Sequence, residues 1–453
     1  MSTRMEGITQ PSLFSSGTLR MDVVVPEENR YRILAEKLPW LKLAEVANEY
    51  RAKKVDIHVG RPLNLRMHLG AVIAQSMNRW TDRETEEMVT YHAGVRILCG
   101  LEQSSETIDH TNIEVFRNQL GAEGVENLNR IVVESAGKQG FTGAELCSSD
   151  TTVQEAPIAY PTEVGHMKRI SEKLLGIGLG IRKNMSEQLG NLSEKAKRIF
   201  TTIRLFTRGS SKQAKSTKKK LSLKLHRTVS KMRKLVKGEI KKMGEKSAGK
   251  YREAMALYKK VLKQVEQWVK TGIHPTGKIV SLWLTDARAI TRKKAGKMTE
   301  FGRRWIITRL KRGYIIGTLC KRLGGGSDTG LMPEILSHFE KMLGEMPKTV
   351  VYDRGGDGSI NHAALKNAKI KNNNIFRKGK ESLPGVGRNK RLAAKRERAL
   401  SEATIATIKN PRYGFNKPRA KSSQGCVLKG QAAIFGANLS HFTRDWMMAM
   451  SVT

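Results

Sequence analysis

The chain predicts an α/β fold interrupted by a long helical insertion, on three observations. Runs rich in Val, Ile, Tyr and Thr, the composition of strands, occur at 144–160, 304–319 and 349–353. Helical stretches with a single apolar stripe alternate with the later strand runs. Between the first strand run and the others, residues from about 163 to 292 read as helical and basic throughout. Strands and helices alternating around an insertion imply a sheet covered by helices.

Taken in order, residues 1–26 read as a loose arm. Residues 27–53 read as helix, broken by Pro39 before Trp40, and Gly60-Arg61-Pro62 is a turn. Leu65, Leu69, Ile73 and Met77 recur at spacing four and mark one apolar stripe. Trp80-Thr81-Asp82 is a turn with an N-cap at Thr81 or Asp82, and two short helices then run through Met88 and Ile97 to Gly100. Helix, tight turn, helix is compatible with a helix-turn-helix DNA reader, and an ordinary small helical bundle shows the same pattern.

Within the insertion, three stripes repeat at helical spacing. One runs from Ile181 through Met185 and Leu189 to Ile203, one from Leu225 through Val229 and Met232 to Met243, and one from Tyr251 through Met255 and Tyr258 to Val269. Each is core for a helical hairpin or bundle. Residues 211–250 hold fifteen Lys/Arg against two Glu, an imbalance that repels itself unless a polyanion compensates it. Beyond the insertion, Arg304–Leu310 and Tyr314–Leu319 flank Lys311-Arg312-Gly313 as a hairpin. Gly324-Gly325-Gly326 is a loop, Pro333–Met346 a helix, Thr349–Asp353 a short strand and Ser359–Lys369 a helix. Ile375-Phe376 reads as a strand. Arg388–Lys409 is a basic helix ended by Asn410-Pro411, followed by a basic loop over 411–425 and a last helix over 428–447.

The chain has 453 residues, enough for two or three domains, and 39% hydrophobic content supports a real core. Lys and Arg number 82 against 42 Asp and Glu, a formal charge of +40, so a polyanion is the expected partner: DNA or RNA first, an anionic membrane second. The membrane reading is weakened because no run of 18 or more apolar residues occurs and the first residues form no apolar signal core. Cys99, Cys147, Cys320 and Cys426 show no CxxC spacing, which argues against a zinc site and fits a reducing cytoplasm.

Three acids stand in settings that chemistry explains better than structure. Asp150 lies inside a strand-like run, where Asp is rare without a partner or a function. Asp353 ends an apolar strand and meets a Gly-rich loop, and side chains at the carboxyl ends of such strands project into the usual ligand crevice; the competing reading is a turn-forming Asp. Glu402 shares one helix face with Arg398, four residues before, and Lys409, seven after. The bland reading of that face is an Arg398–Glu402 ion pair of about 0.3–0.5 kcal/mol. The functional one is a carboxylate metal ligand flanked by phosphate clamps. Phosphodiester cleavage needs an activated oxygen nucleophile and a stabilised leaving oxygen, and two Mg²⁺ about 3.5–4 Å apart serve both. Mg²⁺ takes carboxylate and substrate oxygens.

At these residues the chain resembles bacterial insertion-sequence transposases of the DDE class. Asp150-Thr151-Thr152-Val153-Gln154-Glu155 with Tyr160-Pro161-Thr162 is similar to the segment around that family's first Asp, and Tyr352-Asp353-Arg354-Gly355 to the one around its second. Arg398, Glu402 and Lys409 match the Arg, Glu and Lys of its Y-R-E-K signature, and Val427-Leu428-Lys429-Gly430 resembles the stretch that follows. Gly60-Arg61-Pro62, the helices to Gly100-Leu101, and Asp109-His110-Thr111 leading to Phe116-Arg117 resemble the family's N-terminal DNA-binding region. The likeness covers most of 30–160 and 297–442, in the family's order. It departs from the family where Lys395 replaces the signature Tyr and Gly356 replaces an aromatic residue, and Asp357 competes with Asp353 as second acid.

The resemblance implies an RNase H-like mixed-sheet catalytic core from 140–162 and 297–447, an N-terminal arm and helices over 1–59, a helical DNA-binding domain over 60–135 and a basic helical insertion over 163–296. It implies Asp150, Asp353 and Glu402 as catalytic metal ligands for two Mg²⁺, for which Mn²⁺ can substitute, and Arg354, Arg398 and Lys409 as DNA contacts. It implies a cytoplasmic, nucleoid-associated enzyme that binds the terminal inverted repeats of its element as a dimer on double-stranded DNA, cleaves there and joins the freed 3′ ends to target DNA. Two other readings stand beside it: a decayed or domesticated copy that binds nucleic acid without cutting, and an RNA-binding protein, against which the 6% aromatic content speaks.

Overall fold

The computed structural model describes residues 25–57, 59, 62–181, 186–206, 211–294, 297–321, 328–375 and 387–451. Most of the arm, Gly60 and Arg61 of the first turn, Met185 of the first insertion stripe, the Gly324–Gly326 loop and Phe376 lie outside the described residues.

The N-terminal block is all helical. α1 (Arg30–Lys37) and α2 (Trp40–Ala52) are separated at Leu38-Pro39, since proline cannot continue the ladder. α3 (Leu65–Asn78) starts at Asn64, whose side chain accepts from the Met67 N–H, and every residue from Met67 to Met77 is buried. The spacing-four stripe is therefore one side of a helix enclosed all round. α4 (Asp82–Tyr91) begins with a reciprocal Thr81–Glu84 capping box. α5 (Ala93–Leu98) and α6 (His110–Lys138), kinked at Gly121, complete the block. α4 carries Asp82, Glu84, Glu86 and Glu87 against a single Arg83. A buried α3 beside so acidic a helix is the packing of a small bundle and a poor match to a groove-reading pair.

Among the described residues, a mixed sheet of six strands follows. β1 (Leu146–Glu155) lies in its middle, antiparallel to β3 (Lys297–Arg309) and parallel to β5 (Thr349–Tyr352). β6 (Asn372–Ile375) pairs with β5 in parallel, while β2 (Arg288–Lys294) and β4 (Ile315–Leu319) both pair with β3. The β3–β4 turn is the three-residue Lys311–Gly313, with Arg312 at φ 57° and Gly313 at φ 93°.

Among the described residues the insertion holds four helices: α7 (Glu163–Ile181), α8 (Ser186–Leu205), α9 (Lys212–Lys241) and α10 (Glu245–Thr271). The sequence stripes form its core, where Leu189, Leu225, Val229, Met232 and Val236 meet Met255, Leu262 and Val265. Helix does not run on to 292. α10 stops at Gly272, which takes φ 75° and caps the helix in the left-handed region. Residues 288–294 are strand β2, with Arg288 opposite Gly302 and Ile290 opposite Glu300. Its Arg- and Lys-rich composition blends with the insertion, and only the pairing with β3 makes it a strand.

α11 (Met332–Leu343), α12 (Ser359–Asn367), α13 (Arg388–Ile408) and α14 (Ser423–Met450) close the chain. The last helix begins five residues before the expected 428, because Ser422 caps it through the Gly425 N–H. α14 joins the N-terminal helices to the sheet. A Cβ on Gly436 would stand 2.1 Å from the Ser76 carbonyl oxygen, so α14 and α3 meet at backbone distance. Asn438 spans three elements: its amide donates to the Ile315 carbonyl at 2.6 Å and to Asn129 at 2.7 Å, and its oxygen accepts from the Ile315 N–H at 2.8 Å. One apolar cluster consequently runs from Tyr31 through the sheet to Phe442.

Candidate active site

β1 and β5 run parallel with Ser149 opposite Tyr352, so the next residues, Asp150 and Asp353, are neighbours at the end of that register. Residues paired across adjacent strands project to the same face. α13 crosses this face and is pinned to it twice. Ser401 Oγ lies 2.5 Å from Ser148 Oγ in a buried hydroxyl pair, and Glu397 forms an ion pair with Arg309 of β3. Both anchors face the sheet, and Glu402 follows Ser401 directly.

The result is a cavity of about 770 Å³ lined by Asp150, Asp353 and Glu402 together. Arg398 and Lys409 line it too, so the face predicted from i−4 and i+7 spacing does turn to one place. Arg354 lies in an adjoining cleft with Lys395, Arg398 and Glu402. In place of the Arg398–Glu402 pair of the bland reading, Arg398 forms an ion pair with Asp353 Oδ1. Asp353 also accepts from the Arg354 N–H at 2.7 Å, which seats the turn after β5. Asp357 does not line the cavity and is bonded to His362 Nε2 at 3.0 Å, so the geometry favours Asp353 of the two acids. Asp150 accepts from the Thr151 N–H at 2.6 Å.

Sequence reasoning missed Asp328 and Glu300, which also line the cavity. Asp328 pairs with Arg304 and accepts from Thr151 Oγ1 at 3.3 Å. It follows a Gly-rich loop, where an Asp reads as a turn residue. Glu397 and Ser401 were missed as well; their signal was only a position on the same helix as Glu402.

The donor set is carboxylate oxygens with hydroxyls around them, which suits a hard divalent cation and excludes a soft-metal site. Among the described residues, the group of three whose possible ligand atoms lie within 4.8 Å of one another is elsewhere: Glu86, Asp109 and His110. There His110 Nδ1 already bonds Glu86 at 2.8 Å. In the cavity, the cationic partner of Asp353 is Arg398. All four cysteines are buried and unpaired, and burial pushes the Cys99 and Cys147 thiols up to about 12, so neither is a nucleophile at neutral pH. Among the described residues, no helix is long and apolar enough to cross a membrane.

Comparison with known proteins finds a family resemblance at the N-terminal helices. Residues 19–119 match the family described as a transposase domain (DUF772). A Rhizobium meliloti protein, described as uncharacterized protein ORF8 in the nfe locus, is 28% identical over 150 residues, 32% of this chain and 70% of that protein. No solved structure matches the chain.

Proposed function

We propose, from the premise that this chain is an insertion-sequence transposase, that it is a DDE enzyme whose metal ligands are Asp150, Asp353 and Glu402. The observation that carries the reading is their convergence: two acids at the ends of neighbouring parallel strands, and a third on a helix pinned across them, line one cavity. The mixed sheet with the acid-bearing β1 at its centre supports an RNase H-like core.

These carboxylates would hold two Mg²⁺, which when bound activate the attacking oxygen and stabilise the leaving one in phosphodiester cleavage and strand transfer. The remaining work belongs to side chains. Arg398 fixes Asp353 through their ion pair, and Arg398, Lys409 and Arg354 present positive charge to strand phosphates along the rim. The lysine-rich outer faces of α9 and α10 offer a further surface to double-stranded DNA, at element ends and at target. Two ends must be joined, which calls for a homodimer on DNA.

The test is strand cleavage of a labelled duplex carrying the element's own end, with Mg²⁺ or EDTA, for wild type and Asp150→Ala. Wild type should cut only with Mg²⁺, and the variant should bind equally while its rate falls by at least ~10²-fold, the scale of several kcal/mol of lost transition-state stabilisation. Light scattering of the same complexes should show two chains on paired ends. Equal binding with no cutting by either protein would leave a transposase-derived DNA-binding protein.

A further inference from the structure

A second polar cavity, of about 140 Å³, shares no residue with the acid site. It lies where three distant segments meet. Arg79 and Trp80 come from the α3–α4 turn, Arg117 from α6, and Tyr413, Arg419 and Lys429 from the loop after α13 and the start of α14. The walls are tied together: Arg79 donates to the Pro411 carbonyl at 3.2 Å, and Arg412 Nε to the Met77 carbonyl at 2.9 Å.

Its charge is unbalanced. Asp82 is the one carboxylate in the lining, and it is already engaged by Arg117 through both oxygens and by Gln75 at 2.8 Å. Burial opposes ionisation of Asp82, but these donors outweigh it and hold its carboxyl below the usual range. Glu84, which faces Arg419, is occupied in the Thr81 capping box. Arg117 is buried, and its Nε has no partner. Lys429 and Arg419 form no ion pair among the described residues. Burial, and then the charges of Arg117, Arg419 and Arg79, lower the Lys429 ammonium to about 8, with Asp82 alone opposing them. Four cationic side chains around one committed carboxylate leave an excess that an anion would neutralise.

Size and geometry narrow the anion. The cavity is far smaller than the roughly 300 Å³ at which small-molecule sites begin, so it admits a single tetrahedral group and excludes a whole nucleotide. Guanidinium forks and an ammonium are the donors that suit phosphate oxygens. Arg419 is exposed at the entrance, where a strand running over the surface could lower one phosphate inward.

We propose that this cavity takes one backbone phosphate of a DNA strand and so clamps the N-terminal transposase helices to α14. The inference rests on the DNA-binding part of the proposed function and assigns it a site. A phosphate held there is in contact with both halves of the molecule, so DNA binding would stiffen the α3–α14 junction that also supports the sheet.

Two measurements test it on the full chain. The first is the salt dependence of binding to a short duplex of arbitrary sequence, for wild type, Arg419→Gln and Lys429→Gln. Losing one phosphate contact lowers the slope of log affinity on log salt by about 0.9. Both variants should show that drop, and the double variant should show no more than one such drop. Arg419 is exposed, so its variant keeps the test open if Lys429→Gln does not fold. The second is amine acetylation of Lys429, read by peptide mass, alone, with duplex, and with inorganic phosphate at equal phosphate concentration. Protection by duplex is expected. Unchanged slopes in both variants, or protection by inorganic phosphate without protection by duplex, overturns the proposal. If wild type does not bind duplex at all, the proposed function fails with it; binding with unchanged slopes sinks this inference only.

Discussion

The four-helix insertion and the sheet with its acids bury their interiors in opposite ways. The insertion hides Leu, Val and Met stripes and turns lysines outward, with its own apolar cluster. The face of the sheet beneath α13 is buried yet polar. Ser148 meets Ser401, and Arg309, opposite Ser148, pairs with Glu397. Buried hydroxyls cost free energy unless they are paired, so this face tolerates little change. The insertion needs only an apolar stripe of the right volume. The proposed chemistry sits in the region where packing is least forgiving, because its carboxylates would be held at the end of a rigid register.

Three measurements would sharpen or break that contrast. The largest effect is expected from Leu225→Ala in α9, a fully buried site. It should cost about 2–5 kcal/mol and lower the melting temperature of the insertion, while cleavage by still-folded protein at low temperature stays near wild type. Loss of cleavage in folded Leu225→Ala would show that the two regions are not separable.

Acid should find a weak point in the insertion next. His166 of α7 is buried, and neither ring nitrogen has a partner. Burial first, then the charges of Lys278 and Arg169, lower its pKa to about 4, with Glu163 opposing. The folded state therefore favours the neutral ring. Its contribution is complete above the ordinary histidine value and is lost as pH falls from about 6.5 towards 4, by as much as about 3 kcal/mol. Stability from denaturant titrations should fall more steeply with falling pH across that window for wild type than for His166→Gln. A wild-type stability that is flat across the window would remove His166 from the account.

The smallest expected effect lies in the sheet. Ser401→Ala leaves Ser148 without its hydroxyl partner and should cost about 1–2 kcal/mol, with a larger proportional loss of cleavage because Glu402 is the next residue. Ser401→Thr should restore part of both. Equal percentage losses in stability and rate would mean that Ser401 does not position Glu402.

How much of this was legible beforehand differs between the same two regions. The stripe through Leu225, Val229 and Met232 is a local pattern with period 3.6 and reads directly as a helix core. Asp150, Asp353 and Glu402 stood out because each broke a local expectation or matched a family motif, and all three reach one cavity. β2 was unreadable, because Arg288–Lys294 is too polar and basic to signal a strand without β3 beside it. Asp328 was unreadable for a related reason, since a Gly-rich neighbourhood explains an Asp on its own.

The sequence by itself determined what depends on near neighbours in the chain. That includes the break at Pro39, an N-cap at Thr81 or Asp82, the three apolar stripes of the insertion and the shared face of Arg398, Glu402 and Lys409. The tertiary structure alone decided the partners: Arg398 on Asp353, Glu397 on Arg309, Ser401 on Ser148, and Arg117 brought beside Lys429. The physical reason is range. Propensity, capping and periodicity act within a few residues, whereas pairing of charges and hydroxyls is set by which distant segments burial of the apolar core forces together.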